Sequence, residues 1–242
     1  MRVLFLYLIL SVSFVCNSQI NSGIISYSVQ KKSIDSSENQ SKNIGYKEFA
    51  NNVDKKTNAL KFKLVFNKSY GLFSLEDDLP IDGEDYMTKM AISLLRGNNV
   101  YYTDLINKVY YENKEILNES FSIKKNFDDT KWSVTKDSKL IDDYLCYKAV
   151  FNRPFLDKKG ETRYTEIIAW FCPTLAFNLG PFEAVGLPGL VLEFHSGQYI
   201  FFANNILLEK ESKVIEKPKI DKVVTQEELN KIIKRKLSEI KN

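Results

Sequence analysis

The chain has 242 residues, 44% of them hydrophobic, 13% aromatic and 27% charged, with 34 Lys and Arg against 31 Asp and Glu. That balance excludes disordered, collagen-like and coiled-coil chains, and a dispersed net charge of +3 gives no footing for nucleic-acid binding. A single histidine withholds the residue on which most catalytic triads and zinc sites depend.

The first feature along the chain is a leader. Arg2 supplies a positive start, residues 3–15 form an almost unbroken apolar run, and Cys16 and Ser18 are small residues at the −3 and −1 positions. This pattern fits a signal peptide over residues 1–18, cut between Ser18 and Gln19. The run falls short of the ~20 residues that cross a bilayer. Acylation at Cys16, as in a lipoprotein, is the other reading, and bulky Val15 argues against it. The expected address is therefore the periplasm or cell surface, with the mature chain soluble. Residues 19–242 read as one domain, because no linker, repeat or charge block divides them.

Residues 24–29 alternate and predict a first strand. Residues 31–58 are polar and read as an exposed excursion with one short strand around Tyr46. Residues 60–66 and 70–75 alternate around Asn67-Lys68, a hairpin turn. Met87, Met90, Ala91, Leu94 and Leu95 have helical spacing, Asp85 can cap the start, and Gly97 stands where a C′ glycine belongs. Short strands follow over 99–103, 108–112, 120–125, 132–135, 144–151, 163–171, 190–194 and 199–208. The adjacent pairs Tyr101-Tyr102, Tyr110-Tyr111 and Phe201-Phe202 should each place one ring in the core and one outside. The chain ends in a helix opened by the capping box Thr225/Glu228 and the staple Val224/Leu229. Its apolar stripe of Leu229, Ile232, Ile233, Leu237 and Ile240 should dock on the sheet. Many meandering strands predict a mainly β fold: a curved antiparallel sheet or partly closed barrel, with one internal helix and the C-terminal amphipathic helix.

Removal of the leader leaves two cysteines, Cys146 and Cys172, in an oxidising setting. A hairpin centred on Lys159, in the connector Asp157-Lys158-Lys159-Gly160, sets these two directly opposite each other, where a disulfide can form. Two buried free thiols are the alternative.

The stretch from Gly180-Pro181 through Gly186-Leu187-Pro188-Gly189-Leu190-Val191 resembles the signature of the GLPGLI family, exported proteins of Bacteroidota without a settled activity, with valine in the last position. Upstream, Trp132, Lys139, Ile141, Tyr144, Cys146, Lys148 and Ala149, then Ala169-Trp170-Phe171 and Pro173, are similar to other parts of that family's pattern. Asp142-Asp143 stands where family members usually carry a glycine. Physically, Pro188-Gly189 suits the centre of a type II turn with φ > 0 at Gly189, and Leu187 and Leu190 should point inward. A buried structural turn is the first reading of the motif and a binding loop the second. A phosphate-cradling loop is excluded, since no lysine or hydroxyl residue follows the glycines.

Conventional site chemistry finds little here. His195 lies on one face with Glu193, while Ser196 points away, so no nucleophile and base assemble locally. Acidic groups at 76–78, 82–85 and 128–129 lack the spacing of a calcium loop. We therefore expect no catalytic residues, no cofactor and no metal. The expected role is a non-catalytic binding or carrier module of the bacterial envelope, with a peptide, glycan, lipid or envelope protein as partner. A carboxylate-dependent hydrolase and an envelope assembly or accessory protein are the alternatives.

Overall fold

A computed structural model describes residues 20–32, 44–76, 85–157 and 161–240. The leader, the Ser18–Gln19 junction and Cys16 lie outside them, as do residues 77–84 of the acidic stretches. Twelve strands make one sheet: β1 (Ser22–Lys31), β2 (Lys61–Asn67), β3 (Tyr70–Leu75), β4 (Val100–Asp104), β5 (Val109–Ile116), β6 (Glu119–Asn126), β7 (Ser133–Ile141), β8 (Tyr144–Leu156), β9 (Thr162–Cys172), β10 (Leu190–Ser196), β11 (Tyr199–Glu209) and β12 (Val223–Val224). Helices α1 (Ile44–Ala59), α2 (Tyr86–Leu94) and α3 (Gln226–Ile240) complete the described elements.

The strand order is β12-β6-β5-β4-β3-β2-β1-β11-β10-β9-β8-β7. Two meanders, β1–β6 and β7–β11, are therefore stitched together by the pairing of β1 with β11. The pairs are antiparallel, except that β12 runs parallel to β6. Among the described residues β12 and β7 do not pair, so the sheet stays open, a curved antiparallel sheet as expected. It is sharply bent. Phe182, in the loop between β9 and β10, lies 5.3 Å from the ring of Tyr101 on β4 and 5.5 Å from that of Phe194 on β10. Those strands stand five places apart, roughly 24 Å in a flat sheet. Only a sheet curled around the loop brings both to one ring.

That loop, residues 173–189, fills the concave face. Leu175, Phe177, Leu179, Phe182, Ala184, Val185 and Leu187 are all buried in it, and Phe182 also packs against Phe62, Phe73 and Phe201. Edge-to-face contacts of this kind contribute about 0.5–1.5 kcal/mol each beyond the burial of area. A buried irregular segment must satisfy its own backbone. Here Val191 N donates to Leu179 O, Ala184 N to Pro181 O, Gly186 N to Asn178 O and Leu190 N to Leu175 O.

Several local expectations are corrected. The excursion over 31–58, with its strand near Tyr46, contains instead the helix α1. Among its described side chains Val53 and Thr57 are the buried ones, so its apolar signal is too thin to reveal a helix; contact with β1 and α2, plus the Lys31–Asp54 ion pair at 2.8 Å, holds it. Asp85 caps α2 as expected, its carboxylate accepting from Met87 N at 3.1 Å. The left-handed residue at the other end is Arg96 (φ 56), however, and Gly97 closes the motif by donating to Ile92 O at 2.7 Å. The Pro188-Gly189 turn is tighter than type II: Gly189 N donates to Leu187 O at 2.8 Å, and Gly189 has φ 154. Leu187 and Leu190 are buried, as expected.

Tyr102 points away from the core yet is only 3% exposed. Residues 210–222 cross that outer face on their way from β11 to β12. Asn67 donates to Lys213 O, Asn113 donates to Lys219 O, and Lys217 sits over the rings of Tyr102 and Tyr111. The chain thus covers its own outward tyrosines. At the far end, α3 opens on the expected capping box, with Glu228 N donating to Thr225 Oγ1 and Thr225 N to Glu228 Oε2. It docks through Leu229, with Ile232 and Ile233, on Phe121 and Ile123.

Candidate functional site

Three turns meet the loop at one end of the sheet. Lys68 comes from the β2–β3 turn, Leu105 and Lys108 from the β4–β5 turn, and Phe127, Asp128, Thr130, Lys131 and Trp132 from the connection after β6. Together with Thr174–Asn178, Val185 and Gly186 they line a cleft of about 1310 Å³. Its floor is apolar, from buried Leu175, Phe177 and Val185. Trp132 forms a wall, held in place by its Nε1 donating to Val185 O at 3.2 Å and by its ring packing on Phe151. Phe127 faces Gly186 so closely that an added Cβ there would sit 3.5 Å from its ring. Lys68, Lys108 and Lys131 stand exposed at the rim, with Asp128 among them.

Of the motif residues, only Gly186 reaches this cleft. Gly180, Pro181, Leu187, Gly189, Leu190 and Val191 are buried, and Pro188 is exposed away from the lining. An added Cβ would meet the Val191 side chain at 2.6 Å from Gly180, and the Cys172 carbonyl oxygen at 2.2 Å from Gly189. The two glycines are required by close approach, one to a side chain and one to backbone.

Behind the loop lies a charge cluster that the linear pattern does not disclose. Glu183, buried beside Phe182, accepts from Arg96 Nη2 at 3.0 Å and from Arg153 Nη1 at 2.6 Å. Arg96 also lies 4.4 Å above the Phe182 ring. Burial pushes the Glu183 carboxyl up, but Arg96, Arg153 and Lys125 outweigh it and hold the group down at about 2. Glu112, likewise buried, accepts from Lys125, Asn99 and Tyr101; its burial raises the carboxyl, but the nearby cations Lys125, Lys114 and Arg96 outweigh that and keep it low. Glu183 therefore ties the loop to α2 on one side and β8 on the other. The left-handed backbone of Arg96 is the visible cost, since a non-glycine residue there is strained by about 1–2 kcal/mol.

His195 and Glu193, which share a face of β10, are in contact. His195 Nε2 lies 2.6 Å from Glu193 Oε1, and Lys139 Nζ lies 2.7 Å from both Glu193 oxygens and 4.4 Å from the Trp170 ring. Ser196 accepts from Arg153 Nη2 rather than joining this group. Asp129 is engaged in capping, accepting from Asn126 N, and Asp85 caps α2. Among the described residues no three His, Cys, Asp or Glu side chains come together as a metal site. Cys146 and Cys172 are both buried and both free thiols, so the expected disulfide is not formed in this structure.

The fold is thus an open antiparallel sheet curled around its own loop, with a rim cleft beside that loop. The model of a Bacteroidota-associated family described as a protein of unknown function (Porph_ging) matches residues 152–193, the segment that contains the loop. The match is to that description rather than to the GLPGLI name. No curated protein matches the chain. Two solved structures of PNGF-II, in space groups C2 and P21, are similar to it with a TM-score of 0.53 at 15% identity, over 88% of this chain. The likeness covers 32% and 33% of those chains, so this chain spans about a third of their length. At that identity the shared feature is the fold.

Proposed function

We propose that the chain is a non-catalytic binding module of the bacterial envelope, exported by the leader over residues 1–18, whose ligand lies in the rim cleft. The observation that carries this reading is the cleft: about 1310 Å³ of space with an apolar floor, an aromatic wall at Trp132 and Phe127, and lysines at its mouth. Ligand sites likewise bring apolar surface and placed polar groups together. The lining suits a ligand with an apolar body and an anionic end, which the rim lysines would meet at the surface. The carboxylates most deserving of a chemical role, Glu183 and Glu193, are each saturated by cations, which favours a structural use of both. Among the described residues no helix is long and apolar enough to cross a membrane.

Native mass spectrometry of the mature full chain, recovered from its own envelope, tests the reading. The expected result is a bound mass on the wild type that falls at least tenfold in occupancy in Lys108→Glu/Lys131→Glu, whose side chains are exposed and whose loss leaves the core intact. A bare chain, or undiminished occupancy in the variant, would overturn it.

A further inference from the structure

We infer that Cys146 and Cys172 are joined in the mature protein by a disulfide that staples β8 to β9 where the buried loop begins, and that this bond is a permanent link rather than a redox switch. The ladder between β8 and β9 runs without a slip from Leu156↔Thr162 to Tyr147↔Phe171, and the same register continued by one residue would set Cys146 opposite Cys172. Both are fully buried. Directly opposed residues on antiparallel strands have the Cβ separation that a disulfide spans.

The position matters as much as the geometry. Residue 173 starts the loop that fills the concave face. Thr174 Oγ1 lies 2.9 Å from Cys172 Sγ, and the Cys172 carbonyl is the group against which Gly189 packs. A covalent tie at Cys172 therefore fixes the point where the loop leaves the sheet, together with the cleft wall at Thr174 and Leu175.

In the folded, reduced chain the pair is poorly reactive. Burial first, and then the neighbouring Cys172 thiol, push the Cys146 thiol up to about 12, against a weaker opposite pull from Lys139. Only about one molecule in 10⁵ then carries the nucleophilic thiolate at neutral pH. The bond must form while the chain folds. One cysteine thiolate attacks a disulfide carrier of the envelope and expels one carrier thiolate. The second cysteine then attacks the mixed disulfide and expels the other. Two thiols are oxidised, one carrier disulfide is reduced to two thiols, and the two cysteine protons end on the expelled carrier sulfurs. Once the loop has closed over it, the same burial shields the product from attack.

The test uses the full chain exported by its own leader, trapped with acid and then alkylated in denaturant. The expected result is no labelling of Cys146 or Cys172 without reductant, and one crosslinked peptide pair lighter by two hydrogens. Labelling of both cysteines without reductant would overturn the bond. Reduction of the purified oxidised protein by dithiothreitol should be at least about 100-fold slower in native buffer than in denaturant. Comparable rates would show an accessible switch instead of a staple. The outcome is independent of whether any ligand occupies the cleft.

Discussion

Glu183→Gln removes the charge that holds two arginines beside the loop while keeping the size of the side chain. Glu183 is 6% exposed and sits between Arg96 and Arg153. Its carboxyl is held at about 2 against an ordinary 4.5, a difference worth about 3 kcal/mol at neutral pH. Leaving the two cations without their counter-charge should destabilise the variant by about 3–5 kcal/mol, or roughly 6–20 °C in melting temperature for a chain of this length. The pH dependence carries a sign. A carboxyl whose folded value is depressed contributes stability above its unfolded value and loses it as pH falls toward the folded one. The gap between wild type and variant should therefore be full at pH 7, begin to shrink near pH 4.5 and be largely gone toward pH 2. Thermal melts by circular dichroism at pH 7, 5, 4 and 3 measure it. A variant that melts within 2 °C of wild type at pH 7, or a gap that stays constant down to pH 3, would refute the clamp.

Gly189→Ala should cost about 3–5 kcal/mol: backbone strain contributes about 1–3 kcal/mol, and partial loss of Leu187 and Leu190 packing supplies the rest. Its Cβ would meet the Cys172 carbonyl at 2.2 Å, so a melting temperature equal to wild type would contradict the turn. Leu229→Ala should remove about 2–3 kcal/mol from the docking of α3; hydrogen exchange should quicken in 226–240 and stay unchanged in β1–β4, since Leu229 belongs to the small cluster with Phe121 and Ile123. His195→Ala should cost only about 1 kcal/mol, because Glu193 keeps Lys139 as its partner. Ligand occupancy measured on that variant should match wild type, and its loss with an unchanged melt would point to chemistry at Glu193 and His195.

Patterns set by neighbours in the chain were legible from sequence, because period and capping act within a few residues. The alternation of residues 60–66 and 70–75 around Asn67 and the caps Asp85 and Thr225/Glu228 are all local in this sense. What tertiary structure alone decided rests on partners far apart in sequence. α1 carries too little apolar surface to announce itself, and becomes a helix because β1 and α2 give Val53 and Thr57 a place to bury. Arg96 takes a backbone conformation suited to glycine, and its partner Glu183 lies 87 residues further along the chain. Tyr102 points outward as its strand position requires, yet residues 210–222 cover it. The motif around Gly186 to Val191 stands out in sequence as glycines and leucines. Its function as the filling of a bent sheet depends on Phe182 meeting rings from β2, β3, β4, β10 and β11 at once. No linear period encodes such a convergence, because it exists only after the sheet has curled.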